Sequence, residues 1–236
     1  MFGTGSPLGA SRPHTATPGG EQRASMRRAL CASAVAAPLV LLTGCSLWPA
    51  VPVEDRVRHV LNPRPRVATS ATRNLVLAVN PPLASPGFES SAIAYVQAPH
   101  VLDHYATHEW AETPARMIGQ LLTRTLEDTG GFRAVVRKAS GLPADLALDT
   151  QIVLLQQSFL TKPSVVELTL RVQLVGVARR RVLATRYIEI IEAAPSDDAP
   201  GGVVAANAAV ASGLTQVAAF CIDAAADRLL PLTGRP

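Results

Sequence analysis

Between residues 164 and 178 the chain alternates almost without a break. Val166, Leu168, Leu170, Val172 and Leu174 are apolar, while Glu167, Thr169, Arg171 and Gln173 between them are polar. A period of two puts the first set on one face of a strand and the second on the other. Something else in the chain must cover that apolar face. The segment from Val203 to Leu230 reads as one long helix rich in small side chains: Ala205, Ala206, Ala208, Ala209, Ala211 and Gly213. Small residues allow a helix to lie close against a sheet or another helix.

The neighbouring sequence extends both. Residues 146–159 form a second β-rich stretch that meets the first around Thr161-Lys162-Pro163, and Val182 to Ile191 follows Arg179-Arg180-Arg181. Together they predict an antiparallel meander with the three arginines at the tip of its second hairpin, where charge serves solubility. Upstream, Leu75-Val76-Leu77-Ala78-Val79, closed by Asn80-Pro81-Pro82, reads as a buried strand, and Phe132 to Arg137 as a short one. Ile93–Ala98 and Val101–His108 are expected to pair as a hairpin about Pro99-His100. Thr113-Pro114 supplies an N-cap and a first-turn proline. Met117, Ile118, Leu121, Leu122 and Leu126 then recur at helical spacing until Gly130-Gly131. The expected fold is a single α+β domain, sandwich-like, in which a mixed and largely antiparallel sheet packs with two main helices.

The N-terminal part is of another kind. Residues 1–25 lack apolar periodicity and read as a disordered extension or a mis-assigned start. Residues 26–44 hold the basic patch Met26-Arg27-Arg28, an apolar run from Ala29 to Leu42, and then Thr43-Gly44 ahead of Cys45. The run is shorter than the ~20 residues of a permanent membrane helix but suits a signal peptide. Leu42-Thr43-Gly44-Cys45 is similar to a bacterial lipobox, which implies cleavage between Gly44 and Cys45 and acyl (palmitate-type) chains on Cys45. Several chains anchor firmly where one would not. Residues 45–73, with Pro49, Pro52, Pro63 and Pro65 among Arg56, Arg58, Arg64, Arg66 and Arg73, read as a flexible tether; the folded domain is then expected at 74–230, with a tail at 231–236. Ser46 after the cysteine favours, by resemblance to known lipoproteins, the periplasmic face of the outer membrane.

Charge is consistent with export. The whole chain carries 22 basic and 18 acidic residues for a net +4, yet the 192 residues from Cys45 onward carry only +1. The basicity belongs largely to the leader, and nucleic acid is not an expected partner. After cleavage Cys221 is the last cysteine besides the acylated one, so an internal disulfide is excluded, and its Ala-rich surroundings mark it as a small buried hydrophobe.

Catalytic motifs are missing: the sequence holds no nucleophile elbow, P-loop, dinucleotide fingerprint or zinc-protease helix. His100, His104 and His108 recur every four residues, but on a strand such neighbours lie about 13 Å apart, too far to share an ion. Glu109 and Glu112 precede the first helix, where the helix dipole favours negative charge. No enzyme, no metal and no cofactor beyond the acyl chains on Cys45 are expected. Tyr95, Tyr105 and Trp110 gather aromatics at one strand-to-helix junction; they are either core packing beneath the helix or a partner-docking surface.

One ordered set of segments resembles a known family. Pro86-Gly87-Phe88-Glu89-Ser90, Ile93-Ala94-Tyr95, Leu102-Asp103-His104-Tyr105, Trp110-Ala111-Glu112-Thr113-Pro114, Leu121 to Leu126 and Gly131-Phe132 together are similar to the auxiliary lipoproteins of ABC-type transport systems. Ala206-Asn207-Ala208-Ala209 fits too, and the resemblance covers about residues 74–228. Val96 stands where that family often has Arg, and Phe220-Cys221 where a Trp is common. The resemblance implies a non-enzymatic partner of an ABC permease and ATPase and of an MCE-domain protein, serving the transport of lipids or other hydrophobic molecules between two membranes. A homo-oligomeric state is compatible with it. The alternative reading is a structural envelope-assembly lipoprotein unrelated to transport.

Overall fold

A computed structural model describes residues 55–229; the leader, Gly44, Cys45 and the tail expected at 231–236 lie outside the described residues. In chain order the elements are β1 (Val57–His59), β2 (Arg73–Val79), β3 (Leu83–Ala84), β4 (Ala92–Ala98), β5 (Val101–Trp110), α1 (Pro114–Asp128), β6 (Phe132–Arg137), β7 (Leu146–Ser158), β8 (Val165–Gly176), β9 (Arg181–Ala193) and α2 (Ala199–Leu229). All nine strands belong to one mixed sheet.

The expected meander is present, with β7, β8 and β9 paired antiparallel over nearly their whole lengths. The other edge of β7 is shared by three segments in turn. Leu77–Val79 of β2 lie opposite Leu146–Leu148, Leu83 and Ala84 of β3 opposite Gln151 and Ile152, and Tyr95 and Val96 of β4 opposite Gln157 and Ser158, all parallel. From this edge the sheet forks, β2 carrying β6 at one end and β4 carrying β5 and then β1 at the other. The antiparallel ladders are long and the parallel ones short, which is why periodicity exposes the former and hides the latter.

Burial follows the alternation. Val166, Leu168, Leu170, Val172 and Leu174 are each at most 2% exposed and join Ala209, Leu214, Val217 and Ala218 of α2 in one core. At Gly213 an added Cβ would sit 3.2 Å from Leu168, so the stripe of small residues does set the depth at which the helix lies. α2 is long and apolar enough to span a membrane, but about half of that stretch is buried inside the domain. Met117, Ile118, Leu121, Leu122 and Leu126 of α1 enter the same core. Thr113 occupies the cap position of α1 without a side-chain hydrogen bond, and the entry rests on Pro114 instead.

α2 begins at Ala199, four residues before the expected start. Asp198 accepts a hydrogen bond from the Gly201 amide at 2.8 Å and another from the Ser196 hydroxyl at 2.7 Å, and so caps the first turn. The signal was present in sequence as Asp198-Ala199-Pro200, an N-cap followed by a first-turn proline. The two glycines at 201 and 202 masked it.

The reading of residues 45–73 as a tether is corrected over its described part. Val57–His59 pairs parallel with His108–Trp110. Leu61 is 5% exposed, its amide meeting the Met117 sulfur at 3.5 Å. Asn207 of α2 accepts from the Asn62 amide at 2.9 Å and donates to the Val60 carbonyl at 3.3 Å. Further along, the Thr215 hydroxyl reaches the Arg66 carbonyl, Ser70 donates to the Thr129 carbonyl, and the Thr72 hydroxyl donates to that of Gly130. The segment is a strap bound at many points. Its prolines suppress the period by which a bound segment is recognised, because extended backbone is here satisfied by side chains and loop carbonyls.

Asn207 is thereby accounted for: within its Ala-rich run it is the side chain that holds the strap. Asn207→Ala is expected to lower stability by about 1 kcal/mol, and to speed amide exchange at Asn62 more than in the β7–β8 ladder; urea denaturation and hydrogen exchange check both.

Candidate docking surface

The bulge in β7 determines what this end of the sheet presents. Ile152 pairs with Leu170, but the next pairing is Leu154 with Thr169, so one extra residue enters β7 there. Buried positions accordingly switch from Leu146, Leu148, Thr150 and Ile152 to Leu155 and Gln157. The switch turns the Gln157 amide onto the helix-covered face.

Gln157 is 2% exposed and fully engaged. Its Nε2 donates to the Ser164 hydroxyl at 2.9 Å and to the Asp198 carbonyl at 3.2 Å, while its Oε1 accepts from the Tyr105 hydroxyl at 2.9 Å. One side chain thus links β5, the β7–β8 turn and the start of α2. Gly202 makes room for it, since a Cβ there would come within 2.0 Å of the Gln157 Oε1.

Around this link lies an aromatic cluster. The Tyr95 and Tyr105 rings are 4.7 Å apart, Phe159 meets Tyr95 edge-on at 6.1 Å, and His108 meets Tyr105 at 6.2 Å. The Tyr95 hydroxyl donates to Asp103 at 3.2 Å. Burial, then Tyr95 and Asp198 nearby, push the Tyr105 hydroxyl up to about 12, and burial followed by Asp103 raises that of Tyr95. Both phenols stay neutral, able to donate and accept hydrogen bonds, and both are half-buried with an accessible edge. Trp110 does not join them. It is 4% exposed inside the core, so the three aromatics grouped by sequence divide into a surface pair and a packing residue, and Trp110 offers no face to a partner.

The histidines are held apart. His100 is in the β4–β5 turn with φ +66°, His104 Nε2 lies 3.2 Å from the Gly87 carbonyl, and His108 pairs with His59 at 2.9 Å with their rings stacked 5.1 Å apart. Among the described residues no group of three metal-ligating side chains converges. Glu109 is bound by the arginines that flank the start of β1. It receives Arg58 at 3.0 Å and Arg56 at 3.3 Å, and those hydrogen bonds hold its carboxyl below the usual range. These two arginines, expected to be solvated in a linker, instead help to clasp β1 to β5. Glu112 pairs with Arg116 at 3.1 Å. Cys221 is fully buried, with its thiol pushed up to about 12 by desolvation.

Sequence reasoning passed over His59, Gln157, Phe159 and Asp198. His59 and His108 are joined by a parallel pairing across half a hundred positions, which no local pattern announces. Gln157 acquires its role from a bulge.

Two outcomes are expected. In an isolated helix Gly→Ala is stabilising by about 1 kcal/mol, but Gly202→Ala is expected to destabilise the domain, because its methyl displaces the Gln157 amide from Tyr105; denaturation midpoints give the sign. The second concerns pH. Burial, then His108, hold His59 below its ordinary value of 6.5. The unfolded chain therefore binds more protons than the folded one between the lowered value and 6.5, and stability falls as pH drops through that window. Glu109, Asp197 and Asp198, all held below their usual values, release stability only at lower pH. His59→Phe should keep the stack and abolish the upper step in a stability-against-pH titration.

Comparison with known proteins places this architecture. Among curated proteins none matches the sequence. Among solved structures, a protein of Xanthomonas campestris is similar with a TM-score of 0.64 and 20% identity, over 70% of this chain and 96% of that one. A second, described as an uncharacterized protein, reaches a TM-score of 0.55 at 14% identity, over 72% and 98% of the two chains. These likenesses concern the fold alone. Residues 59–218 match the family model described as ABC-type transport auxiliary lipoprotein component. The match begins inside β1, so the strap lies within the family's domain; the chain belongs to the family of ABC-type transport auxiliary lipoproteins.

Proposed function

We propose that the protein is a non-enzymatic accessory subunit of an ABC transport system, acylated on Cys45 and held at the periplasmic face of the outer membrane. The family match across residues 59–218 carries this reading, and Leu42-Thr43-Gly44-Cys45 ahead of the matched domain supports its anchor. Ser46 favours the outer membrane over the inner one. In this reading an MCE-domain protein and a permease with its ATPase are the partners, and the cargo is a lipid or another hydrophobic molecule. The domain supplies geometry, while the ATPase supplies turnover energy. It needs no cofactor beyond its acyl chains.

The exposed edges of Tyr95 and Tyr105, with Phe159 beside them, are the proposed docking patch. Aromatic side chains that combine an apolar ring with a polar tip are common anchors of protein interfaces. They lie on a rigid base, because Gln157 ties Tyr105 to the capped start of α2.

Crosslinking in intact envelopes followed by affinity capture tests the assignment. Recovery of an MCE-domain protein and a permease is expected, with yield reduced in Tyr95→Ala. Capture of secretion or pilus components alone would instead favour the envelope-assembly reading. Cys45→Ala is expected to move the protein from the membrane to the soluble periplasmic fraction; unchanged retention would overturn the lipid anchor.

A further inference from the structure

The end of the sheet that holds the β4–β5 turn presents a group of exposed apolar side chains beside the polar Gln97, His100 and Lys162. Val101 is 55% exposed, Leu102 40% and Leu160, in the β7–β8 turn, 52%. They border a shallow cleft of about 420 Å³ whose other walls include Phe88, Val96 and Pro99. From Val96 to Leu102 the sequence holds no Asp, Glu, Lys or Arg. Isolated apolar residues on a surface need no explanation, but a contiguous set projecting from two turns at one end does.

The course of the chain bears on what lies against it. β1 runs parallel to β5 with Val57 opposite His108, so the backbone that precedes Val57 comes from the hairpin end of β5, where Val101 and Leu102 lie. Continuing that register sets Asp55 opposite Ala106, and Val101 lies about 17 Å beyond it at ~3.3 Å per residue. Nine residues separate Cys45 from Asp55. The ten steps from Cys45 to Asp55, fully extended, span about 36 Å. A membrane holding Cys45 is therefore, with the domain upright, no more than about 19 Å from the apolar turns.

We propose that this end of the domain rests on the phospholipid bilayer, with Val101, Leu102 and Leu160 inserted into its interfacial zone. This rests on the reading of Cys45 as the lipid-bearing residue. The exposed area is too small to bind a membrane tightly on its own; the anchor raises the effective concentration of lipid at the turns, and the turns in exchange fix the orientation of the domain. The strap then stands along the membrane normal, and the far hairpin with Arg179, Arg180 and Arg181 points into the periplasm.

The test uses the acylated chain in vesicles of phosphatidylethanolamine and phosphatidylglycerol. A spin label is placed by Val101→Cys, Leu160→Cys or, as the distal control, Val182→Cys. Cys221 is buried and does not react. An acylated Cys45 has no free thiol, so one label per chain reports the anchor, and a second label shows that the anchor reading has failed. Shielding of positions 101 and 160 from an aqueous nickel chelate, several-fold greater than at 182 and with greater access to oxygen, is the expected result. Equal exposure of all three overturns the proposal. Shielding of the Cys45→Ala chain in buffer without vesicles would reveal a second copy on this surface, and shielding that appears only with added envelope protein would reveal a protein partner; either overturns it as well. If the anchor reading fails, flotation of the Cys45→Ala chain decides separately. Vesicle binding weakened several-fold by Leu102→Asp supports the turns, and no difference between the two chains counts against them.

Discussion

The fold depends on the hydrogen-bonding capacity of one strand. β7 has thirteen residues, and its backbone groups must all find partners because its side chains are mostly buried. On one edge a single strand of matching length, β8, satisfies them. The other edge is divided among β2, β3 and β4, each too short to cover it alone. Loops can leave the sheet between these three segments, and the sheet forks there. The Tyr95–Tyr105 aromatic pair occupies one prong and the β2–β6 pair the other, so β7 is the element through which their positions are related.

Along that shared edge, small departures from regularity decide the surface chemistry. One extra residue after Ile152 exchanges the faces of everything that follows in β7. Without it Gln157 would point away from the helices and Tyr105 would lack its hydrogen-bond acceptor. Gly202 is the complementary feature on α2: a helix interior tolerates glycine poorly, yet here a side chain would occupy the space of the amide. The bulge and the glycine form one device, assembled from positions 45 residues apart or more.

What sequence reveals of such a protein follows from where its signals are local. The alternation in β8, the helical spacing of Met117 to Leu126 and the small residues of α2 each state their own packing, and each corresponds to an observed element. Parallel pairing is set by which distant segments meet, so the order of the forked sheet and the contact between His59 and His108 stayed hidden. The strap was hidden for a different reason. Prolines and arginines usually mark solvated chain, but Arg56 and Arg58 are paired with Glu109, and Asn207 satisfies the backbone between them and Pro63. Trp110 takes the core-packing alternative while Tyr95 and Tyr105 keep accessible edges, because aromatics close in sequence separate by alternation and by depth.

The parallel register of β1 and β5 also has a mechanical meaning. Tension arriving through the residues before Asp55 acts along the axis of β1, so it loads the bonds to β5 and the Arg–Glu109 clasp together, in shear. A strand pulled perpendicular to its ladder would instead peel, one bond at a time. Behind β1, Leu61 is lodged against Met117 and the strap is tied to α2, so force passes into the two-helix layer before it reaches the meander. A short strand at the sheet edge thus behaves as a clamp against traction.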